Sequence, residues 1–230
     1  MRAQNEPAET AVRTPDGPKV VEAIPREWLE TGYAWPQSRG SQLAGAAVGA
    51  RPGERVLDIC AAPGGKATQL AALGADVVAV EKHPGRAREL EANARRLGLA
   101  GGVTVVCADA LRLPRDLGVF DRALVDAPCS GLGVLNSRPD LRWRARPLPE
   151  LQLRLLEAAS EHVRPGGTVT YSVCTVHAAE NQDVVHALGL PTEDLSALWP
   201  EFRHPRHPSF LLTLPHRHGT SGFFVARLRT

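Results

Sequence analysis

The sequence predicts an α/β fold, a doubly wound sheet that is mostly parallel and ends in a C-terminal antiparallel hairpin. Three observations carry that expectation. Short apolar runs alternate with helical stretches from Arg55 onward, a Gly-containing loop separates the first run from its helix, and two apolar runs with only a short polar loop between them close the chain. Strands and helices alternating at these lengths give parallel neighbours joined by right-handed crossovers.

In chain order, Ser41 to Ala50 reads as a helix of small residues, closed by the turn signal Arg51-Pro52-Gly53. Arg55 to Ile59 is the first strand and Ala67 to Leu73 its helix. Asp76 to Val80 is the second strand, followed by a helix over Pro84 to Leu97 with Leu90 and Leu97 on one face. Val103 to Val106 and Arg122 to Val125 are the third and fourth strands. Leu148 to Val163 repeats apolar residues at Leu151, Leu155, Leu156 and Ala159, and Arg164-Pro165-Gly166-Gly167 reads as a helix stop joined to a turn. Thr168 to Val173 is a β-branched fifth strand. Phe210 to Leu214 and Gly222 to Leu228 form the hairpin, either side of a loop containing His216, Arg217, His218 and Gly219. Ahead of these, residues 1–18 are rich in Pro, Glu, Gln and Thr and read as a disordered tail. Residues 19–40 read as a lead-in segment, the remnant of an N-terminal extension, and 41–230 as the domain itself.

A chain of 230 residues with 43% hydrophobic content can bury one sizeable core, and a net charge of +2 makes no case for nucleic acid by itself. Lys19, Lys66 and Lys82 are the only lysines, so nearly all positive charge is arginine. There is no apolar run of the roughly 18 residues a membrane span requires, and no apolar signal-peptide stretch at the N-terminus. Cys60, Cys107, Cys129 and Cys174 include no C-x-x-C pair, which argues against a zinc knuckle. Reduced thiols in the cytoplasm are the expectation. His204, His207, His216 and His218 lack Cys partners and regular ligand spacing, so no metal is expected. No exposed apolar repeat calls for self-association, and a monomer is expected.

The loop Cys60-Ala61-Ala62-Pro63-Gly64-Gly65-Lys66 falls at the carboxyl edge of the sheet, where doubly wound folds bind ligands. Small residues let a cofactor approach the backbone closely. The pattern matches neither the dinucleotide fingerprint nor the phosphate-binding P-loop. Glu81 ends the second strand, where a carboxylate suits the ribose hydroxyls of an adenosine ligand, and Asp109 after the third strand suits its adenine amino group. The plainer alternative for both is a solvated strand end. Asp126-Ala127-Pro128-Cys129-Ser130-Gly131 follows the fourth strand and Tyr171-Ser172-Val173-Cys174-Thr175 ends the fifth, so both thiols meet at that edge. Two thiols above a cofactor suit one reaction class. Carbon 5 of cytosine is a poor nucleophile until a thiolate adds to carbon 6. The thiol must ionise below its free value of about 8.5, and Lys66 and nearby helix N-termini are the expected positive field. Cys60 and Cys107 read as packing residues, with the Cys60 backbone near the cofactor.

Together, Cys60-Ala-Ala-Pro-Gly-Gly-Lys66, Asp126-Ala-Pro-Cys-Ser-Gly131 and Tyr171-Ser-Val-Cys174 resemble the Sun/Fmu (RsmB-like) family of RNA cytosine-5 methyltransferases. The similarity extends from about Ser41 to the C-terminus, through Arg138-Pro139-Asp140-Leu141-Arg142-Trp143 and Gly222-Phe223-Phe224-Val225-Ala226-Arg227-Leu228. It implies a Rossmann-like methyltransferase that uses S-adenosylmethionine to methylate carbon 5 of a cytosine in RNA, ribosomal in the family's best-known case. It further implies Cys174 as nucleophile, Cys129 as an aid to release of the methylated base, and Asp126 and Lys66 as contacts to the ring. Cys60 through Lys66, Glu81, Asp109 and Asp126 would line the cofactor pocket. Ala179-Glu180-Asn181 resembles the family's Glu-Glu-Asn with one acid lost, which puts a helix-cap or loop contact in question. The family carries an RNA-binding domain before its core, and residues 1–40 are too few for one. A short form, a fragment, or reliance on a separate RNA-targeting partner are the alternatives.

Arg138, Arg142, Arg144 and Arg146 alternate with Trp143, a pattern suited to phosphate contact and base stacking. The alternative is Trp143 packed on the core. After Glu201 the chain holds Arg203, Arg206, Arg217, Arg227 and Arg229 and no acid, which predicts a basic rim. Two rival readings stand beside this one: a methyltransferase of the same fold with another substrate, or a catalytically silent RNA-binding or ribosome-assembly factor.

Overall fold

The computed structural model describes residues 2–7 and 9–230. β1 (Ala11–Thr14), β2 (Gly17–Val20), α1 (Arg26–Glu30) and β3 (Trp35–Pro36) precede α2 (Arg39–Ala47). The main alternation runs β4 (Arg55–Ile59), α3 (Gly65–Ala72), β5 (Asp76–Glu81), α4 (Pro84–Arg96), β6 (Val103–Cys107), β7 (Phe120–Asp126), α5 (Leu141–Arg144), α6 (Pro149–Ser160) and β8 (Val163–Val173). It closes with α7 (Gln182–Leu188), β9 (Leu211–Leu212), α8 (Pro215–His218) and β10 (Phe224–Arg229).

The seven-stranded sheet has the order β6-β5-β4-β7-β8-β10-β9. Its first five strands are parallel, and β10 runs antiparallel to both β8 and β9. The expected α/β class and the antiparallel C-terminal pair are both present. Because the chain steps outward from β4 to β6 and then returns to β7, the strand order reverses between β4 and β7. Their carboxyl ends lie side by side there, with Ile59 opposite Val125, and such a crevice is where open α/β sheets bind ligands.

Alternate residues of each strand serve opposite faces. Leu57 and Ile59 join Phe120, Val125 and α6 residues Leu155 and Leu156 on one side. Val56 and Leu124 pack with α3 residues Ala67 and Leu70 and with Leu90 of α4 on the other. Each fully buried leucine contributes about 1.5–3 kcal/mol of transfer free energy, so these two layers hold the crevice rigid.

Two expectations are corrected. The segment 1–18 is not a disordered tail over its described residues: β1 and β2 pair from Ala11 to Val20, and Val12 is fully buried. Arg13 donates from Nη2 to Thr68 Oγ1 at 2.7 Å, and Gln4 donates from Nε2 to the Leu132 carbonyl at 3.0 Å. The partners lie far along the chain, which is why composition read the segment as unanchored. The second correction concerns Arg164-Pro165-Gly166-Gly167, which does not separate helix from strand but lies inside β8. The register between β7 and β8 slips between Phe120 and Arg122, and a Cβ on Gly167 would stand 2.6 Å from the Asp121 carbonyl. Glycine there lets β8 pass the bulge. Among the described residues, no helix is long and apolar enough to cross a membrane.

Leu124 is fully buried in the central strand β7. Leu124→Ala is expected to destabilise the fold by about 2–5 kcal/mol, read as a lowered urea midpoint. An unchanged midpoint would contradict the core described here.

Candidate active site

The loop after β4 is fixed by its neighbours. Cys60 adopts a left-handed φ of 63° and Gly64 one of 105°, a conformation that costs a non-glycine residue energy and that packing must hold in place. Helix α4 supplies much of that restraint. Arg86 Nη2 donates to the Ala62 carbonyl at 2.8 Å and Asn93 Nδ2 to the Pro63 carbonyl at 3.0 Å. A Cβ on Gly65 would stand 2.7 Å from Trp35 Nε1. The absent side chain therefore makes room for an indole from β3, a close approach within the protein itself.

A cavity of about 250 Å³ opens beside this loop, with Cys60 to Pro63, Gly65, Lys66 and Asp126 in its wall. Trp35, Pro36, Gln37, Ser38, Ser41 and Asp58 complete it. Sequence reasoning gave those six no site role. The one local signal was Asp58, an acid inside the apolar strand Val56-Leu57-Asp58-Ile59. It is 1% exposed, and neither carboxylate oxygen has a hydrogen-bond partner. Burial raises its pKa well above the usual carboxylate range, Asp126 adds to the rise, and Lys66 opposes it. An acceptor pair held this way fits a cationic group on a bound ligand, which would restore the charged form.

Lys66, in the first turn of α3, donates to Asp126 Oδ2 at 2.6 Å and lies 5.2 Å from the centre of the Phe223 ring. Ser172 Oγ donates to Asp126 Oδ1 at 2.6 Å. Both carboxylate oxygens of Asp126 are thus engaged. The ammonium of Lys66 keeps further N–H donors for a ligand in the cavity.

Beside this pair, Cys129 Sγ and Cys174 Sγ are 3.4 Å apart. The Cys174 carbonyl accepts from Gly133 N at 3.0 Å, and the Gly133 carbonyl accepts from Gly222 N at 2.8 Å. A Cβ on Gly133 would meet the Gly222 carbonyl at 2.0 Å, so only glycine permits this junction. Cys174 is held below the ordinary thiol range, first because the Cys129 thiol hydrogen-bonds to it; burial and Asp126 oppose the shift, and Lys66 assists. The expected source of activation, Lys66, is therefore the smaller contributor. Cys129 is correspondingly pushed up, by that hydrogen bond first and burial second. Cys60 is pushed up to about 12 by burial, with Asp58 the next cause, which leaves it inert as a nucleophile.

The other expected residues divide. Glu81 is buried at the end of β5, where its Oε1 accepts from His83 N at 2.8 Å; its Oε2 lies 3.6 Å from Arg86. Asp109 accepts from Lys82 Nζ at 3.0 Å and from Leu111 N at 3.1 Å, and those bonds hold it below its usual range. Both stand at the same sheet edge but outside the wall of the 250 Å³ cavity, as does Gly64. Cys107, expected as packing, is exposed at the end of β6.

Trp143 is 82% exposed on α5, which excludes the core-packed alternative. Arg138 and Arg144 both pair with Asp140, at 3.1 and 3.7 Å, and Arg142 donates to Asn5 Oδ1 at 2.6 Å. The predicted C-terminal basic rim is interrupted, because Arg227 and Arg229 both pair with Glu193. Among the described residues, no group of three or more His, Cys, Asp or Glu side chains is arranged to hold a metal.

Comparison with known proteins gives a consistent picture. The family model described as 16S rRNA methyltransferase RsmB/F matches residues 46–229. The chain is 36% identical over 218 residues to a probable ribosomal RNA small subunit methyltransferase B of Synechocystis sp., covering 86% of this chain and 48% of that protein. It is 36% identical over 216 residues to a tRNA (cytosine(72)-C(5))-methyltransferase of Pyrococcus horikoshii, covering 87% and 53%. The chain thus spans about half the length of these relatives. The crystal structure of NSun6 from Pyrococcus horikoshii with SFG superposes with a TM-score of 0.80 at 31% identity, covering 93% of this chain and 59% of that one.

The thiol geometry makes a selective-labelling expectation. In a Cys107→Ser background near neutral pH, limiting iodoacetamide should alkylate Cys174 ahead of Cys129 and Cys60, as read by peptide mass spectrometry. Earlier labelling of Cys60 or Cys129 would contradict the ionisation order described above.

Proposed function

The chain belongs to the 16S rRNA methyltransferase RsmB/F family, and on that premise we propose that it methylates carbon 5 of a cytosine in RNA through a covalent bond between Cys174 and the base. The observation that carries this reading is the pair of thiols 3.4 Å apart beside the Lys66–Asp126 ion pair. S-adenosylmethionine, bound at the loop after β4, supplies an electrophilic methyl group. Cys60, Ala61, Ala62, Pro63, Gly64, Gly65, Lys66, Glu81, Asp109 and Asp126 are the residues assigned to hold it. Asp58 joins them, because its unpartnered carboxylate matches the cofactor's ammonium.

Cys174, as thiolate, adds to carbon 6 of the cytosine and makes carbon 5 nucleophilic. Lys66 and Asp126 hold the polar edge of the ring, Lys66 with the N–H donors its ion pair leaves free. Once carbon 5 carries the methyl group, its proton passes to water, the electrons of that C–H bond restore the double bond between carbons 5 and 6, and the Cys174–carbon 6 bond breaks, expelling the thiolate. Cys129 assists that release by donating its thiol hydrogen to the departing sulfur. The target base must leave its stack to meet Cys174. Trp143 offers an exposed face on which a neighbouring base can stack, and Arg138, Arg142 and Arg144 flank it for phosphate contact. Ribosomal RNA, met in the cytoplasm, is the proposed substrate. A separate RNA-targeting segment or partner is proposed to supply the address.

Methyl-labelled S-adenosylmethionine with unmodified small-subunit ribosomal RNA, and in parallel with transfer RNA, tests the proposal. Label is expected in 5-methylcytosine, abolished by Cys174→Ala, while Cys129→Ala accumulates a protein–RNA adduct on denaturing gels. Undiminished methylation by Cys174→Ala would overturn the covalent mechanism, and label in transfer RNA alone would overturn the ribosomal assignment. Trp143→Ala is expected to weaken RNA binding by about 1–3 kcal/mol if a base stacks there, measured by titration at fixed salt.

A further inference from the structure

We propose that Glu180 is a positioning residue for the two cysteines, its buried carboxylate setting the separation at which Cys129 serves Cys174. Glu180 is fully buried in the 3-10 turn Ala178–Glu180, six residues after Cys174. No lysine or arginine pairs with it among the described residues. Hydrogen-bond donors from two segments, the Cys129 loop and the start of α6, surround it instead. Its Oε1 accepts from Ser130 N at 2.9 Å, Leu148 N at 3.1 Å and Gln152 Nε2 at 2.9 Å. Its Oε2 accepts from Ser130 Oγ.

The bonding pattern says what those contacts accomplish. Ser130 directly follows Cys129, and Thr175 directly follows Cys174. Ser130 Oγ lies 2.9 Å from Thr175 Oγ1; since its own proton goes to Glu180, the threonine hydroxyl donates. A chain of hydrogen bonds therefore runs from Glu180 through Ser130 to Thr175, tying the residue after one cysteine to the residue after the other. The remaining contacts anchor the carboxylate itself. Leu148 is the residue before the first turn of α6 and brings no side-chain cap, so Glu180 supplies the acceptor. A negative charge is favoured at that helix end. Gln152 also donates to the Pro128 carbonyl at 2.9 Å, one residue before Cys129. Tyr171 Oη donates to the Glu180 carbonyl at 2.6 Å and fixes its backbone to β8. Leaving several buried donors unsatisfied is costly, so this network has little freedom to drift.

The consequence reaches the nucleophile through geometry. The groups acting on the Cys174 sulfur are the Cys129 thiol, Asp126 at the end of β7, Lys66 on α3 and, at longer range, Arg138. Of these, only the Cys129 loop is held by Glu180. Loosening the clamp would withdraw the thiol donor and leave Asp126 and burial to oppose ionisation of Cys174. The same loss would slow expulsion of the methylated base in the reaction proposed above, on which only this last consequence rests.

The test is the pH dependence of Cys174 alkylation by iodoacetamide in the full chain with Cys107→Ser, with neither RNA nor cofactor. It is read by peptide mass spectrometry for Glu180→Ala, Glu180→Gln, Ser130→Ala and Cys129→Ala. Ser130→Ala breaks the link to Thr175 while sparing the Leu148 and Gln152 contacts, so it decides the matter even if a Glu180 variant does not fold. Expected are upward shifts of the alkylation midpoint for Glu180→Ala and Ser130→Ala toward that of Cys129→Ala, with Glu180→Gln intermediate. A midpoint higher by one pH unit lowers the thiolate fraction near neutrality about tenfold. Wild-type profiles in folded Ser130→Ala and Glu180→Ala, despite a lowered urea midpoint, would reduce Glu180 to a stability role and overturn the proposal. Because this readout needs no methyl transfer, failure of the wild-type chain to methylate RNA would sink the functional reading without touching it.

Discussion

Two parallel strands, β7 and β8, end side by side, and each passes into a loop that carries a cysteine. Their sulfurs sit 3.4 Å apart, and both residues are half-buried. Two thiols at that distance cannot ionise independently: a charge on one is stabilised by the hydrogen of the other, and a second charge is opposed by the first. The Cys129 hydrogen bond favours charge on Cys174, burial and Asp126 oppose it, and Lys66 assists. Most of what surrounds the pair maintains that arrangement. Gly133 and Gly222 let the loops close on one another, and Ser130, Thr175 and Glu180 lock them from behind.

The carboxyl edge of the sheet gathers a high density of acids, and their environments separate their roles. Asp126 is neutralised by Lys66 and bonded by Ser172. Glu180 sits among N–H and O–H donors at a helix N-terminus. Asp109 is tied to Lys82 at the surface. Of these four, only Asp58 has neither cation nor donor against its oxygens, and burial drives it well above the ordinary carboxylate range. A buried carboxylate without partners is costly, so this position is the one where a ligand's positive group gains most.

The segment ahead of the sheet is part of the site. Trp35 fills the space left by Gly65, Ser38 caps α2 by accepting from Ser41 N, and Gln37 bridges Arg13 and Gln69. On the far side of the cysteines, Gln4 holds Leu132 and Leu135 and the Gln4 carbonyl accepts from Arg142. The N-terminal residues thereby fasten the loop that leads from Cys129 to the exposed Trp143.

Strand and helix positions were legible in the sequence because burial alternates with a short period: Val56 and Leu57 face opposite layers, and Leu155, Leu156 and Ala159 share one. The loop at the end of β4 and the two cysteine loops were legible for a related reason, since strand ends in a doubly wound sheet share one edge. What sequence could not supply were contacts between residues distant along the chain. Arg13 reaches Thr68, Gln4 reaches Leu132, and Ser130 reaches Glu180. Composition marked residues 1–18 as unanchored, and charge counting marked Arg227 and Arg229 as a free basic rim, although Glu193 neutralises both. Which groups surround each cysteine was likewise decided only in three dimensions. Local sequence specifies backbone preference and apolar period, whereas ionisation and anchoring depend on which donors, charges and burial a side chain meets after folding.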